Sequence, residues 1–320
     1  MKITDLIKQQ KTPFFSIEIT PPVKTKSIQP IFATIERLLP YNPAFINVTY
    51  HPQKISKTKI DNTDYEVISQ KHANQIGLCA AIKYKYDVEV VPHFVCAGFN
   101  KIQVEDALFD LMFLGIENIL ALRGDAKSEN EAFQPVDGGY RYANELISQI
   151  KAMKKSRFIS HNEHNEPLDF CVGAAGYPEK HYEAKTIYDD IANLKRKIDC
   201  GADYIITQIC YDIDKFTDWI NHCRHSGIHV PIIPGIKPLT SDKQIDTLKE
   251  IFHVNIPEDI ESKIKSTKSK EEKWNIGIQH SIELSKKLLN AGAAGIHYFT
   301  MGSGKDAEDV IKEVYKKTEE

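Results

Sequence analysis

The sequence predicts one α/β domain over residues 1–320, a (β/α)8 TIM barrel, and three observations carry that prediction. Short runs rich in β-branched and aromatic residues recur eight times, each followed by a polar or Gly/Pro break. Between them apolar residues fall at three- and four-residue spacing, as in Ile31, Ile35 and Leu38 and again in Leu146, Ile150 and Met153. The runs themselves are nearly continuously apolar, which suits parallel strands covered by helices.

In order, the runs are Phe14–Thr20, Ala44–Tyr50, Glu89–Cys96, Asn118–Gly124, Phe170–Tyr177, Tyr204–Tyr211, Val230–Ile236 and Gly295–Met301. A doubly wound open sheet is the competing architecture. No G-x-G-x-x-G turn follows the first run, and that argues for the barrel. The polar, His/Asn-rich stretch Ser156–Leu168 reads as a long surface loop before the fifth strand. The stretch Lys263–Lys273 alternates Lys with Glu and Ser and reads as a solvated helix or loop.

Composition excludes several classes of function. Formal charge is −3, so no basic excess is available to neutralise a nucleic-acid backbone. Met1–Thr12 has no apolar run of the signal-peptide kind, and no later run is long enough to span a membrane. The six cysteines contain no C-x-x-C pair and read as reduced thiols of a cytoplasmic protein, with no zinc site and no metal signalled. His161/His164 and His222/His225 have helical spacing without a completing ligand. Gly302-Ser303-Gly304-Lys305 lacks the earlier glycine of a phosphate loop, and Trp219 and Trp274 read as helix-packing aromatics.

In such a barrel, catalysis belongs at the C-terminal ends of the strands. On the first strand, Ser16, Glu18 and Thr20 share one face, and Phe15, Ile17 and Ile19 the other. A lone carboxylate on a buried strand is either a structural ion-pair partner or a general acid whose pKa burial has raised. The second strand ends Asn47-Val48-Thr49-Tyr50, and the third carries Pro92-His93. At the fourth, Arg123 and Asp125 flank Gly124, either as an ion pair or as a place where a ligand approaches the backbone. The fifth ends in small residues, Gly173 to Gly176, before Tyr177, Glu179 and His181. The sixth contains Thr207-Gln208, and the seventh exits through Pro234-Gly235-Ile236 towards Gln244. Donors, acceptors and an aromatic on one mouth suit a large planar heteroaromatic ligand.

The ordered series SIEITPP, INVTY, VPHFVC, ALRGD, GYPEKH, NLKRKIDCGADYIITQ and IPGIKP, from about Phe14 to Met301, resembles the methylenetetrahydrofolate reductase family in its short bacterial form. The resemblance implies a barrel that binds FAD. It implies a ping-pong reduction of methylenetetrahydrofolate to methyltetrahydrofolate by NADH or NADPH, with NADH preferred, in a homo-oligomer that supplies methyl groups for methionine synthesis. It implies that Glu18 is the proton donor and that Asp125 stabilises the cationic folate intermediate. Thr49, Tyr50, His93, Arg123, Gly124, Asp125, Tyr142, Ala143, Ala175, Tyr177, His181, Asp190, Asn193, Arg196 and Lys197 fall where the family holds FAD, Arg196 and Lys197 facing its diphosphate. Glu18, Asp125, Gln208, Gln244 and Phe299 fall where it holds the folate. Two departures stand out. Phe299 replaces a Tyr and Ser303 an Arg, with Lys305 a candidate to take over the folate tail. The rival readings are a non-redox barrel that transfers a one-carbon unit on a pterin, and a non-catalytic flavin-binding subunit of a larger assembly.

Overall fold

The computed structural model describes residues 1–51, 54–61, 63–69, 71–124, 132–160 and 166–316. The elements run α1 Ile3–Gln9, β1 Phe14–Ile19, α2 Gln29–Leu38, β2 Phe45–Val48, β3 Lys54–Ile60, β4 Thr63–Ser69, α3 Gln75–Tyr86, β5 Glu89–Val95 and α4 Lys101–Phe113. They continue β6 Asn118–Leu122, α5 Ala143–Met153, β7 Cys171–Gly176, α6 Ile187–Asp199, β8 Tyr204–Ile209 and α7 Ile213–His225. Last come β9 Ile232–Ile236, α8 Asp242–Phe252, α9 Glu258–Ser266, α10 Lys270–Asn290, β10 Gly295–Phe299 and α11 Lys305–Val314.

Eight parallel strands close in the order β1-β10-β9-β8-β7-β6-β5-β2, so the (β/α)8 barrel is the observed fold. Each strand lies inside one of the eight runs, and all but β9, which ends with its run at Ile236, stop short of the run's end, where the chain leaves the ladder for the mouth. The Lys263–Lys273 stretch forms the end of α9 and the start of α10. Of the 156–168 loop, residues 161–165, with His161 and His164, lie outside the described residues. Its near end is anchored: Ile159 and Ser160 donate their backbone N–H groups to the fully buried Glu105 carboxylate at 2.7 and 3.0 Å.

Period two divides each strand between two cores. Phe15, Ile17 and Ile19 face the helices, whereas Phe14 packs inside the barrel with Phe45, Val91, Leu120, Cys171, Tyr204 and Ile233. The floor of that interior is closed by Ile3, fully buried, with Leu6 and Ile7 beside it. Its polar flanks hide this role in the sequence, yet i, i+3, i+4 spacing gives α1 one apolar edge. The plug is tied down by Ile3 N–H on Asn118 Oδ1 (2.9 Å) and by the N-terminal ammonium on Glu89 (2.6 Å).

The sequence reading contains no counterpart to β3 and β4. They form an antiparallel hairpin, turning at Asp61 in the left-handed region (φ 48°), between β2 and α3 at the mouth end of the barrel. A ribbon paired only with itself carries no continuous apolar run, so hydrophobic periodicity passes over it.

At Gly277, α10 runs tightly against the loop after β9. A Cβ there would lie 1.4 Å from the carbonyl oxygen of Leu239, in the loop after β9. Gly277→Ala is expected to destabilise by at least the roughly 1–3 kcal/mol typical of overpacking, because backbone rather than a side chain must move. A lower urea midpoint at unchanged m value checks this.

Candidate active site

The inward faces of the strands become polar one layer above the barrel floor. Ser16 and Glu18 of β1, Asn47 of β2, His93 of β5 and His297 of β10 meet there. Glu18 lies 3.3 Å from His93 Nε2 and 3.5 Å from His297 Nε2. Ser16 Oγ is 2.8 Å from His297 Nδ1, and the Asn47 side-chain amide is 3.2 Å from His93 Nε2. Burial pushes the Glu18 pKa up, but the charge of His93 and hydrogen bonds from His297 and His93 outweigh it and hold the group at about 2. This corrects the expectation that burial raises it. The sequence displays the apolar strand around Glu18 but not the two imidazoles that distant strands bring to it. His297 itself is pushed down by burial, with Glu18 opposing.

The main chain at Glu18 is held from β10. Thr300 donates to the Glu18 carbonyl from its N–H (3.3 Å) and its Oγ1 (2.7 Å). Thr300 in turn accepts at its own carbonyl from Lys237 Nζ (3.0 Å), a side chain only 2% exposed that also pairs with Asp306. Tyr211 Oη donates to the Lys237 carbonyl at 2.6 Å, so the exits of β8, β9, β10 and β1 are linked.

Across the mouth, the exits of β6 and β7 with the start of α6 form a second constellation. Arg123 makes a two-pronged ion pair with Glu183 and lies 5.2 Å above the Phe133 ring. Its sequence neighbour Asp125 lies outside the described residues. Gly124 adopts φ 85°, and a Cβ there would meet the Ala97 side chain at 2.9 Å, so the position needs glycine on both counts. His181 Nδ1 accepts the Glu183 N–H (3.2 Å), which leaves the proton on Nε2. Burial, then the charge of Arg123, lowers its pKa to about 4, so the ring is neutral near pH 7. Its ring centroid is 4.7 Å from that of Tyr177.

Lys197 reaches inward from α6. Its Nζ donates to the Ala175 carbonyl (2.9 Å) and sits 5.8 Å from the Tyr177 ring centroid, without a carboxylate in ion-pair range among the described residues. Burial pulls it down to about 8, with Asp190 opposing. Burial likewise raises the pKa of Asp190, on the same helix. Asn193 is half-buried, while Arg196 is exposed, on a different side of α6 from Lys197. Tyr142 is the exposed N-cap of α5, and Ala143 behind it is buried. Thr49 Oγ1 is buried without a hydrogen-bond partner among the described residues, and the Tyr50 ring lies 5.1 Å from Phe99.

Gln208 is half-buried, its Oε1 accepting from the Ile209 N–H (2.9 Å). Gln244 turns back onto its own loop, accepting from Thr240 N–H (2.7 Å) and Oγ1 (3.0 Å). Phe299 is buried and meets His297 edge-on at 5.0 Å. Ser303 is exposed, and Lys305 is bound to Glu308 and Asp309 of its own helix.

The sequence reading did not single out His297, Glu183 or Lys237. His297 could have been found, since it precedes Phe299 by two residues and therefore shares its inward face. Glu183 and Lys237 carry no local signal, because their partners Arg123 and Asp306 come from other elements.

Residues 2–318 match the profile of the family described as methylenetetrahydrofolate reductase. The chain belongs to that family. It is 32% identical over 312 residues to "Methylenetetrahydrofolate reductase 2" of Saccharomyces cerevisiae, covering 94% of this chain and 47% of the yeast protein. It is 30% identical to "Methylenetetrahydrofolate reductase (NADH) 1" of Arabidopsis thaliana, covering 97% of this chain and 50% of the plant protein. The chain thus spans about half the length of these relatives. The 5,10-methylenetetrahydrofolate reductase of Salmonella typhimurium is 29% identical, with 89% of this chain and 85% of the bacterial protein covered. A solved structure from Clostridium thermocellum, titled as an uncharacterized protein that binds two copies of 5-methyl-5,6,7,8-tetrahydrofolic acid, shares the fold with a TM-score of 0.57. It is 12% identical, over 97% of this chain and 98% of its own. No described helix is long and apolar enough to cross a membrane.

Proposed function

We propose that the chain reduces 5,10-methylenetetrahydrofolate to 5-methyltetrahydrofolate with NADH as donor (NADPH the alternative), through FAD, in two half-reactions that share one mouth. The observation that carries this reading is the pairing of an inward acid, Glu18 between two histidines, with a desolvated cation, Lys197, that has no carboxylate in ion-pair range among the described residues. The residues fit FAD. Lys197 suits a diphosphate, with Arg196 available from the outer side of α6. The neutral His181 offers an Nε2–H donor, and Thr49 offers a hydroxyl without a partner among the described residues. FAD, when bound, carries hydride from the nicotinamide to the one-carbon unit.

The chain's own part is acid catalysis and charge placement. Glu18 protonates the folate nitrogen that leaves as the five-membered ring opens, and Asp125 supplies negative charge to the resulting cation. Glu18 is a carboxylate while the mouth is open to water. A flat ligand over the mouth excludes that water and raises its pKa, so Glu18 takes up a proton from solvent as the ligand settles, with His93 and His297 holding the carboxyl in place. Gln208 and Gln244 orient the pterin by hydrogen bonds. Six free cysteines are in keeping with a reducing, cytoplasmic setting, and a homo-oligomer completes the reading.

The test is the visible spectrum of the purified chain before and after anaerobic NADH, followed by methylenetetrahydrofolate. A flavin spectrum that bleaches and then returns supports both half-reactions. A colourless protein that cannot be reconstituted with FAD overturns the reading in favour of one-carbon transfer on a pterin.

Lys197 gives this reading a pH signature. Free Lys197 loses its proton near pH 8, and a bound diphosphate favours the charged form, so FAD affinity is expected to fall as pH rises above about 8. Titration of apoprotein with FAD at pH 7 and pH 9.5 checks this. Lys197→Arg, which stays charged, should flatten the dependence.

A further inference from the structure

The loop between β7 and α6, residues 177–186, carries both His181 and Glu183 but forms no helix or strand. Its ends are anchored outward. Glu179 pairs with Lys215 (3.1 Å) and accepts the Asn255 N–H (2.8 Å), and the Tyr182 ring lies tilted against His253 at 4.8 Å. The His181 carbonyl accepts the Ala184 N–H (3.0 Å) and keeps a second lone pair, which with the carbonyls of Tyr182 and Ala184 remains to be satisfied.

Lys180 satisfies them. Its backbone is in the left-handed region, φ 78°, which a lysine rarely adopts, and its N–H donates to the Tyr177 carbonyl at 3.0 Å. From there the side chain folds back into its own loop. Nζ donates to the carbonyls of Ala184 (2.7 Å), His181 (3.1 Å) and Tyr182 (3.4 Å). An ammonium has three N–H groups, and all three acceptors are main-chain oxygens of the same short segment. Among the described residues it has no ion-pair partner, so its charge is directed at the loop's shape and not at a neighbouring element.

Two of these carbonyls flank Glu183, and the third belongs to His181. The same segment directs the Glu183 N–H to His181 Nδ1 and the Glu183 carboxylate to Arg123. We propose that Lys180 is a positioning residue for the flavin site: by gathering three carbonyls it holds His181 in the Nε2–H tautomer and Glu183 on Arg123. The proposal rests on the FAD reading above. Strained backbone held by surrounding contacts is a recurrent feature of ligand clamps, and here the lysine supplies the contacts for its own strained position.

The experiment uses the full chain with Lys180→Gly and Lys180→Met. Glycine relieves the left-handed backbone and removes the whole side chain, whereas methionine removes the ammonium but keeps the strained turn, so the pair separates the clamp from the turn. FAD affinity is read by flavin fluorescence on adding FAD to apoprotein, and the His181 tautomer by nitrogen-15 NMR of the flavin-free chain. Both variants are expected to bind FAD at least tenfold more weakly, with His181 exchanging between tautomers and the apoprotein melting temperature unchanged within a few degrees. A purely structural role would lower the melting temperature and leave the tautomer as it is, and that result overturns the proposal. Wild-type FAD affinity in Lys180→Gly also overturns it, while the FAD reading stands. Wild-type chain that takes up no FAD overturns the FAD reading, and the clamp's service to that cofactor with it.

Discussion

Glu18→Gln is expected to reduce FAD with NADH at the wild-type rate and to lose reduction of methylenetetrahydrofolate by about 10²–10⁴-fold, the range for removing a general acid. The amide can still hydrogen-bond to His93, so packing in the polar layer persists while the transferable proton is gone. Stopped-flow measurement of each half-reaction separates the two effects. A near-normal rate of folate reduction would remove Glu18 from the acid role. The same variant tests the electrostatics. The folded-state pKa of about 2 lies below the ordinary 4.5, so pairing of Glu18 contributes stability that is present above about pH 4.5 and lost as pH falls towards 2. Glu18→Gln should lack that part of the acid limb in a pH series of unfolding curves. His297, neutral because buried, adds its own loss on acidification below the ordinary histidine value, and this survives the substitution.

Lys237→Met is the largest stability effect expected. It leaves the Asp306 carboxylate buried without its partner, a change that costs about 3–5 kcal/mol in comparable pairs. It also removes the donor to the Thr300 carbonyl, and Thr300 holds the main chain of Glu18. The double variant Lys237→Met, Asp306→Leu removes both charges and should recover most of the stability, since replacing a buried ion pair by apolar groups is often neutral. Urea unfolding of the wild type, single and double variants completes the comparison. A single variant within about 1 kcal/mol of wild type, the range of an exposed pair, would show that the ion pair is solvated in solution.

The barrel was legible because its strands are buried on both faces and therefore appear as apolar runs separated by breaks. The mouth was legible for the same reason. Ser16, Glu18, Asn47, Thr49, His93 and Gln208 are polar residues at inward positions of strands that are otherwise apolar, and such exceptions are conspicuous. The α1 plug was missed because Ile3, Leu6 and Ile7 are diluted by Lys and Gln. The β3–β4 hairpin was missed because a ribbon outside the barrel needs no apolar run.

What the sequence by itself determined is where the strands lie and which residue types stand at their ends, and with them the residue types available to the mouth. What only the tertiary structure decided is the electrical state of those residues. Glu18 is a carboxylate, not a lone buried acid, because β5 and β10 bring His93 and His297 within 3.5 Å. Arg123 finds Glu183, Lys237 finds Asp306, and Lys197 finds no carboxylate in ion-pair range among the described residues. The reason is physical. Facing in or out depends on a residue's neighbours along its own strand, whereas a pKa depends on charges and solvent within a few ångströms, and closing the barrel determines which distant residues those are.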